Sequence, residues 1–263
     1  MLNLRYQGSS FFELLQTDFA HLLPRYQVEH AALLQREFPL PHGTTILALK
    51  YAEGVLLAGD RQATEGFQIS DRRIEKVYKA DEFSAIAIAG VAGPAIDMVK
   101  LFQTELEHYE KIEGEPLALE GKANKLAQMI KQNFPAALHG LVVIPIFAGF
   151  DRKKGIGRIY KYDVTGGKYE ERNYYATGSG GKDARSTLKK FYRENLSRQE
   201  AIRLALEALL DAAEEDVATG GPDLIRGIYP TIQTVTAQGI KEVSVEEIKP
   251  ICEALIQERK EKE

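Results

Sequence analysis

The chain has 263 residues, 44% hydrophobic and 27% charged, which allows a substantial buried core and excludes a disordered or fibrous polymer. The 38 acids against 34 bases leave a formal net charge of -4, so nothing in the charge suits nucleic acid. A single cysteine, Cys252, allows no intrachain disulfide, no apolar run approaches the ~20 residues of a membrane span, and Glu13 and Asp18 interrupt the apolar stretch from Gly8 to Leu23, so a cytoplasmic protein away from membranes is expected.

Residues 1–43 contain His21, His30 and His42 but no lysine. Phe11-Phe12-Glu13-Leu14-Leu15 predicts a short amphipathic helix, and Pro24 interrupts that pattern. Pro39-Leu40-Pro41-His42-Gly43 disfavours regular structure. An N-terminal arm joined by an accessible linker is therefore expected, with a packed domain over residues 44–263.

Within that domain, the apolar runs Thr45–Tyr51 and Val55–Asp60 flank Ala52-Glu53-Gly54 and predict a hairpin. Ile74–Lys79 and Ser84–Gly90 predict a second, and the run SAIAIAG suits a strand buried on both faces. Val99, Phe102, Leu106 and Tyr109 recur at helical spacing, as do Leu126, Met129 and Ile130, with Pro135 marking the end of the second helix. Strands are expected at Leu141–Gly149, Arg158–Tyr162, Tyr174–Thr177, Thr231–Thr236 and Lys241–Val243. Ser197 with Glu200, and Ser244 with Glu247, read as capping boxes opening two later helices. Hairpins imply antiparallel sheets, and two-sided burial implies sheets stacked face to face beneath helices. The expected fold is α+β, a four-layer αββα sandwich.

Several motifs lead nowhere. Gly178-Ser179-Gly180-Gly181-Lys182-Asp183 resembles a phosphate loop, but Ala176 and Asp183 stand where a glycine and a Ser or Thr are required. His108 and His139 lack metal-ligand companions at zinc spacing, no Gly-x-Ser-x-Gly elbow is present, and no metal or other cofactor is expected.

One enzyme design needs no histidine. A threonine hydroxyl can be the nucleophile when the same residue's α-amine is the base, since that amine has a pKa near ~7.7–8.0, against ~10.4 for a lysine. The threonine must then be the first residue of its chain. Gly43-Thr44-Thr45 lies where arm meets domain, and Gly43 puts no side chain beside the bond to be cut. Asp60 ends the second strand and Lys76 lies in the third, so adjacent antiparallel strands can bring both to Thr44. A lysine ammonium there would lower the hydroxyl's pKa. Gly90 ends the fourth strand, where a bare backbone N–H can meet an oxyanion. Taken singly, each has a plainer reading: a β-branched strand start, a turn aspartate, a surface ion pair and a turn glycine.

The segments GTTILALKYAEGVLLAGDRQAT, IEKVYKAD and SAIAIAGVAG resemble a proteasome β-subunit precursor, as do Gly178-Ser179-Gly180 and Asp216-Val217-Ala218-Thr219-Gly220-Gly221. The likeness covers essentially the whole chain. Ser9-Ser10-Phe11 to Pro24 and the run from Thr219 to Pro230 look most like the actinobacterial-type bacterial branch.

The resemblance implies an N-terminal-nucleophile hydrolase fold and autocatalytic cleavage between Gly43 and Thr44, with residues 1–43 a propeptide. It implies Thr44 as nucleophile, Asp60 and Lys76 as its charged partners, and Gly90 as oxyanion donor. Ser179, Asp216 and Thr219 would be hydrogen-bonded support near the amine. It also implies a substrate pocket of Ala63, Thr64, Ile74, Tyr78, Ile88, Ala92 and Ile96, without an ionisable side chain besides Tyr78 and suited to apolar P1 residues. Gln62 stands where the family often has Arg, and Thr219 where it often has Ser. The implied activity is ATP-independent threonine-type endopeptidase action on unfolded proteins inside a chamber. The implied assembly is two seven-membered β-rings between rings of α-subunits, served indirectly by a ring ATPase. A non-catalytic ring subunit and another N-terminal-nucleophile amidohydrolase remain as alternatives.

Overall fold

The computed structural model describes residues 43–65 and 68–261; the expected N-terminal arm and its short helix lie outside the described residues. The elements run β1 (Thr45–Tyr51), β2 (Gly54–Gly59), β3 (Ala63–Glu65), β4 (Gln68–Asp71), β5 (Val77–Asp81), β6 (Ser84–Gly90), α1 (Ala92–Glu113) and α2 (Leu119–Ala137). They continue with β7 (Val143–Asp151), β8 (Ile156–Tyr162), β9 (Lys168–Glu171), β10 (Tyr174–Gly178), α3 (Gly181–Phe191), α4 (Arg198–Glu215), β11 (Thr231–Thr236), β12 (Gly239–Glu242) and α5 (Val245–Lys260). One five-stranded sheet has the order β10-β1-β2-β11-β12, and a second has β5-β6-β7-β8-β9. Every pairing in both is antiparallel.

Side-chain alternation along the strands builds the layers, because successive residues point to opposite faces. In β1 and β2, Leu47, Leu49, Leu56 and Ala58 face one way and pack with Leu188 of α3, Ala205 and Leu209 of α4, and Ile248 of α5. Their neighbours Ile46, Ala48, Val55 and Leu57 face the second sheet, meeting Ala85, Ala87 and Ala89 of β6 and Ile146 of β7. Ile86 and Ile88 of β6 point outward to Phe102 of α1 and Leu126 of α2. Phe147 joins that outer core, edge-on to Phe102 at 5.7 Å and stacked on Tyr160 at 6.2 Å. The result is the expected αββα sandwich, with SAIAIAG buried on both faces.

The differences are local. The two expected hairpins form, but β1–β2 and β5–β6 belong to different sheets. Lys76 is not in a strand; it immediately precedes β5. The β3–β4 hairpin, β9 and α3 were not expected. All of β4 is exposed, so no burial alternation marks it. Helix α3 opens after Gly180 without a side-chain cap and buries only Gly181, Ala184, Thr187 and Leu188. Helix α2 runs past Pro135 to Ala137. Ser197 and Glu200 form the expected reciprocal box. Ser244 occupies the N-cap of α5 without a side-chain cap bond; its hydroxyl bonds the Glu246 carboxylate instead, and the Glu247 carboxylate pairs with Arg198. Among the described residues, no helix is long and apolar enough to cross a membrane.

Candidate active site

Thr44 sits one residue before β1. Ladder bonds beyond the strand ends define this corner: Asp60 N donates to Thr45 O at 3.1 Å, and Ile88 N to Lys76 O at 2.9 Å. Asp60 thus arrives from the first sheet and Lys76 from the second, not from neighbouring strands of one sheet. Thr44 and Lys76 are each 5% exposed and Asp60 1%.

A buried carboxylate requires donors, and Asp60 has four. Its Oδ1 accepts from Lys76 Nζ at 2.7 Å and Thr45 N at 2.8 Å. Its Oδ2 accepts from Gln62 N at 3.0 Å and Gly220 N at 2.9 Å. Lys76 Nζ also donates to Gln62 O at 2.6 Å and Gly43 O at 3.3 Å. Burial pushes the Lys76 ammonium's pKa below the usual 10.5, while Asp60 and Asp216 pull it back up.

The Gly43–Thr44 junction is gripped on both sides. Thr44 Oγ1 donates to Gly43 O at 2.7 Å, so hydroxyl and ammonium converge on one carbonyl oxygen. Gly43 N donates to Thr64 Oγ1 at 2.9 Å. Thr44 N lies 3.2 Å from Ser179 Oγ, and Ser179 N donates to Thr44 O at 2.9 Å. Gly178, at φ +100°, allows this approach: a Cβ there would stand 1.8 Å from Thr44 O. The phosphate-loop look of this segment is thereby accounted for, since its N–H groups serve Thr44 and Thr45.

Thr45 is a participant missed from sequence, where it read only as a strand opener. Gly180 N donates to its Oγ1 at 3.0 Å. Thr219 Oγ1 lies 2.6 Å from Thr45 Oγ1 and donates to Asp216 Oδ2 at 2.6 Å. One hydroxyl carries one proton, so the order is Thr45 to Thr219 to Asp216. Ser179 alone of the expected support residues bonds the Thr44 nitrogen directly; Asp216 and Thr219 connect through Thr45. Gly180 and Gly220 were also missed, because their bonds here are backbone bonds without a residue-type signal; Gln62 stood out only as a departure from the family's usual Arg, and nothing in its type signals its backbone bonds to Asp60 and Lys76.

Beside the junction is a cavity of about 30 Å³ lined by Ala63, Ile74, Tyr78, Ile88, Ala92 and Ile96, together with Thr44 and Gly90. Thr64 is not in its lining. Contrary to expectation, Glu75 and Lys76 also line it, because the backbone leading into β5 passes the cavity mouth. Tyr78 donates to Glu75 O at 2.6 Å, and burial raises its phenol above the usual pKa of 10.0, so the wall it forms is uncharged. Gly90 has φ +120°, and a Cβ there would lie 2.1 Å from Val142 O, which excludes other residues without rearrangement. Elsewhere, His108 and His139 are exposed, and Cys252 is buried with its thiol pushed up to about 12.

An αββα sandwich whose first strand begins beside a buried threonine, with a Lys–Asp pair reaching across the sheets, defines the N-terminal-nucleophile hydrolase class. The model of the family described as "Proteasome subunit" matches residues 40–225. The chain belongs to that family, and it is a threonine-type endopeptidase of the proteasome core. It is 55% identical over 223 residues to a proteasome subunit beta of Acidimicrobium ferrooxidans, covering 84% of this chain and 82% of the relative. Proteasome subunit beta proteins of Frankia casuarinae and Streptomyces griseus are each 48% identical, covering 95% and 97% of this chain and 90% of each relative.

Proposed function

We propose that the chain is a zymogen that cuts its own Gly43–Thr44 bond and then hydrolyses peptides with Thr44 as nucleophile. Residues 1–43 are the propeptide and 44–263 the catalytic domain. The observation that carries this is the shared carbonyl: Thr44 Oγ1 at 2.7 Å and Lys76 Nζ at 3.3 Å, both on Gly43 O.

Before cleavage Thr44 has no free amine. The neutral fraction of Lys76, enlarged by its lowered pKa, takes the hydroxyl proton as Oγ1 attacks the Gly43 carbonyl carbon. The C–N bond breaks, its nitrogen gains a proton, and Gly43 becomes an ester on Oγ1. Water hydrolyses that ester, releasing the Gly43 carboxylate. The freed Thr44 amine, 3.2 Å from Ser179 Oγ, then accepts the hydroxyl proton in peptide cleavage. Lys76, held by Asp60, supplies positive charge beside the alkoxide, and Gly90 N–H is the oxyanion donor. Ala63, Ile74, Tyr78, Ile88, Ala92 and Ile96 receive an apolar P1 side chain. Thr64 holds substrate backbone, as its bond to Gly43 N suggests, and Asp216 and Thr219 support the site through Thr45.

The chain acts within a proteasome core ring assembly. In our reading the assembly is two β-rings of seven between rings of α-subunits in the cytoplasm, cleaving unfolded proteins delivered through a ring ATPase. The propeptide shields the site until assembly. Thr44→Ala tests the reading: the expected result is a precursor uncut at residue 43 and devoid of peptide hydrolysis. A processed, active variant overturns it.

A further inference from the structure

Gln62 carries three contacts that join the charged pair to the opposite wall of the site. Its N–H donates to Asp60 Oδ2 at 3.0 Å, its carbonyl accepts from Lys76 Nζ at 2.6 Å, and its side-chain Nε2 donates to Val217 O at 3.1 Å. A carbonyl only accepts, so the amide nitrogen must face Val217. The segment it reaches lies against the bond to be cut: a Cβ on Gly43 would stand 2.1 Å from Ala218 Cβ and 2.2 Å from Ala218 O. Val217 itself is 86% exposed, so burial of its side chain does not hold it there. The same segment sends Gly220 N to Asp60 Oδ2 at 2.9 Å.

We infer that Gln62 is a positioning residue for both self-cleavage and peptide hydrolysis. Resting on the reading of Thr44 as nucleophile, it fixes the Asp216–Gly220 segment, and through it the Asp60–Lys76 pair, by a neutral side-chain donor. Loosening Val217 lets Ala218 drift from the scissile residue and weakens the Gly220 bond to Asp60. Glutamine supplies the donor without adding charge beside the Lys76–Asp60 pair. Glutamate of the same shape presents acceptors to an acceptor until it is protonated.

The test compares wild type, Gln62→Met, Gln62→Glu and Gln62→Arg as assembled protein with a fluorogenic peptide of apolar P1. Gln62→Met, which has no donor, is expected to lose about tenfold in kcat with KM nearly unchanged, and to self-cleave more slowly. Gln62→Glu is expected to lose more at pH 8, and its kcat relative to wild type should rise as pH falls from about 7 toward 5, where a glutamic acid regains its proton. Gln62→Arg, which keeps a donor but adds a cation beside Lys76, should retain more kcat than Gln62→Met. Wild-type kcat and self-cleavage in Gln62→Met, or a Gln62→Glu ratio flat with pH, overturns the inference. If Gln62→Met fails to assemble, the pH dependence of Gln62→Glu decides. Thr44→Ala run in parallel separates the two claims, since activity there defeats the nucleophile itself whatever Gln62 does.

Discussion

Gly43 combines steric and chemical demands in one residue. Any Cβ there would collide with the backbone and side chain of Ala218, displacing the carbonyl that Thr44 and Lys76 share. Gly43→Val is therefore expected to slow self-cleavage about a hundredfold, the loss typical of a misplacement near 1 Å, with accumulation of full-length chain by intact-mass measurement. Lys76 gives a pH test. Its pKa lies below 10.5, so self-cleavage should rise with pH along a limb whose midpoint is below that value, and Lys76→Met should abolish the limb. A limb centred at or above 10.5 would contradict Lys76 as the base. Thr44, Asp60 and Lys76 were legible in the sequence because few residue types can do this chemistry and their order matched it. Thr45 was not, because a β-branched residue opening a strand has a commoner reason to be there, and Gln62 stood out only as a departure from the resemblance, with nothing to show what its side chain holds.

At the scale of elements, local signals succeeded where local forces decide. Ser197 and Glu200 bond reciprocally, so Ser197→Ala should cost about 1 kcal/mol in urea unfolding. Ser244 makes no side-chain cap bond, and Ser244→Ala should stay within about 0.5 kcal/mol of wild type. The two read alike in sequence. Glu200 reaches Ser197 even while it pairs with Arg193, whereas Glu247 pairs with Arg198 and the Ser244 hydroxyl bonds Glu246. Likewise β4, exposed throughout, carries no alternation to read, and it depends on pairing with β3.

For the whole molecule, continuous apolar runs in β1, β2 and β6, buried on both faces, made the four layers readable, since each strand feeds one core between the sheets and one beneath helices. Assignment of the hairpins to separate sheets was not readable, because hairpins specify neighbours and not which sheet they join. That assignment brings Lys76 across to Asp60. A hole in the inter-sheet core should be felt throughout: Leu57, fully buried, when changed to Ala should lose about 2–5 kcal/mol in urea unfolding.

The central claim is that an internal threonine becomes a terminal one, and sequencing the N-terminus of the assembled, peptide-cleaving protein tests it most directly. Thr44 is expected as the first residue. Full activity with Gly43 still joined to Thr44 in every copy would contradict it.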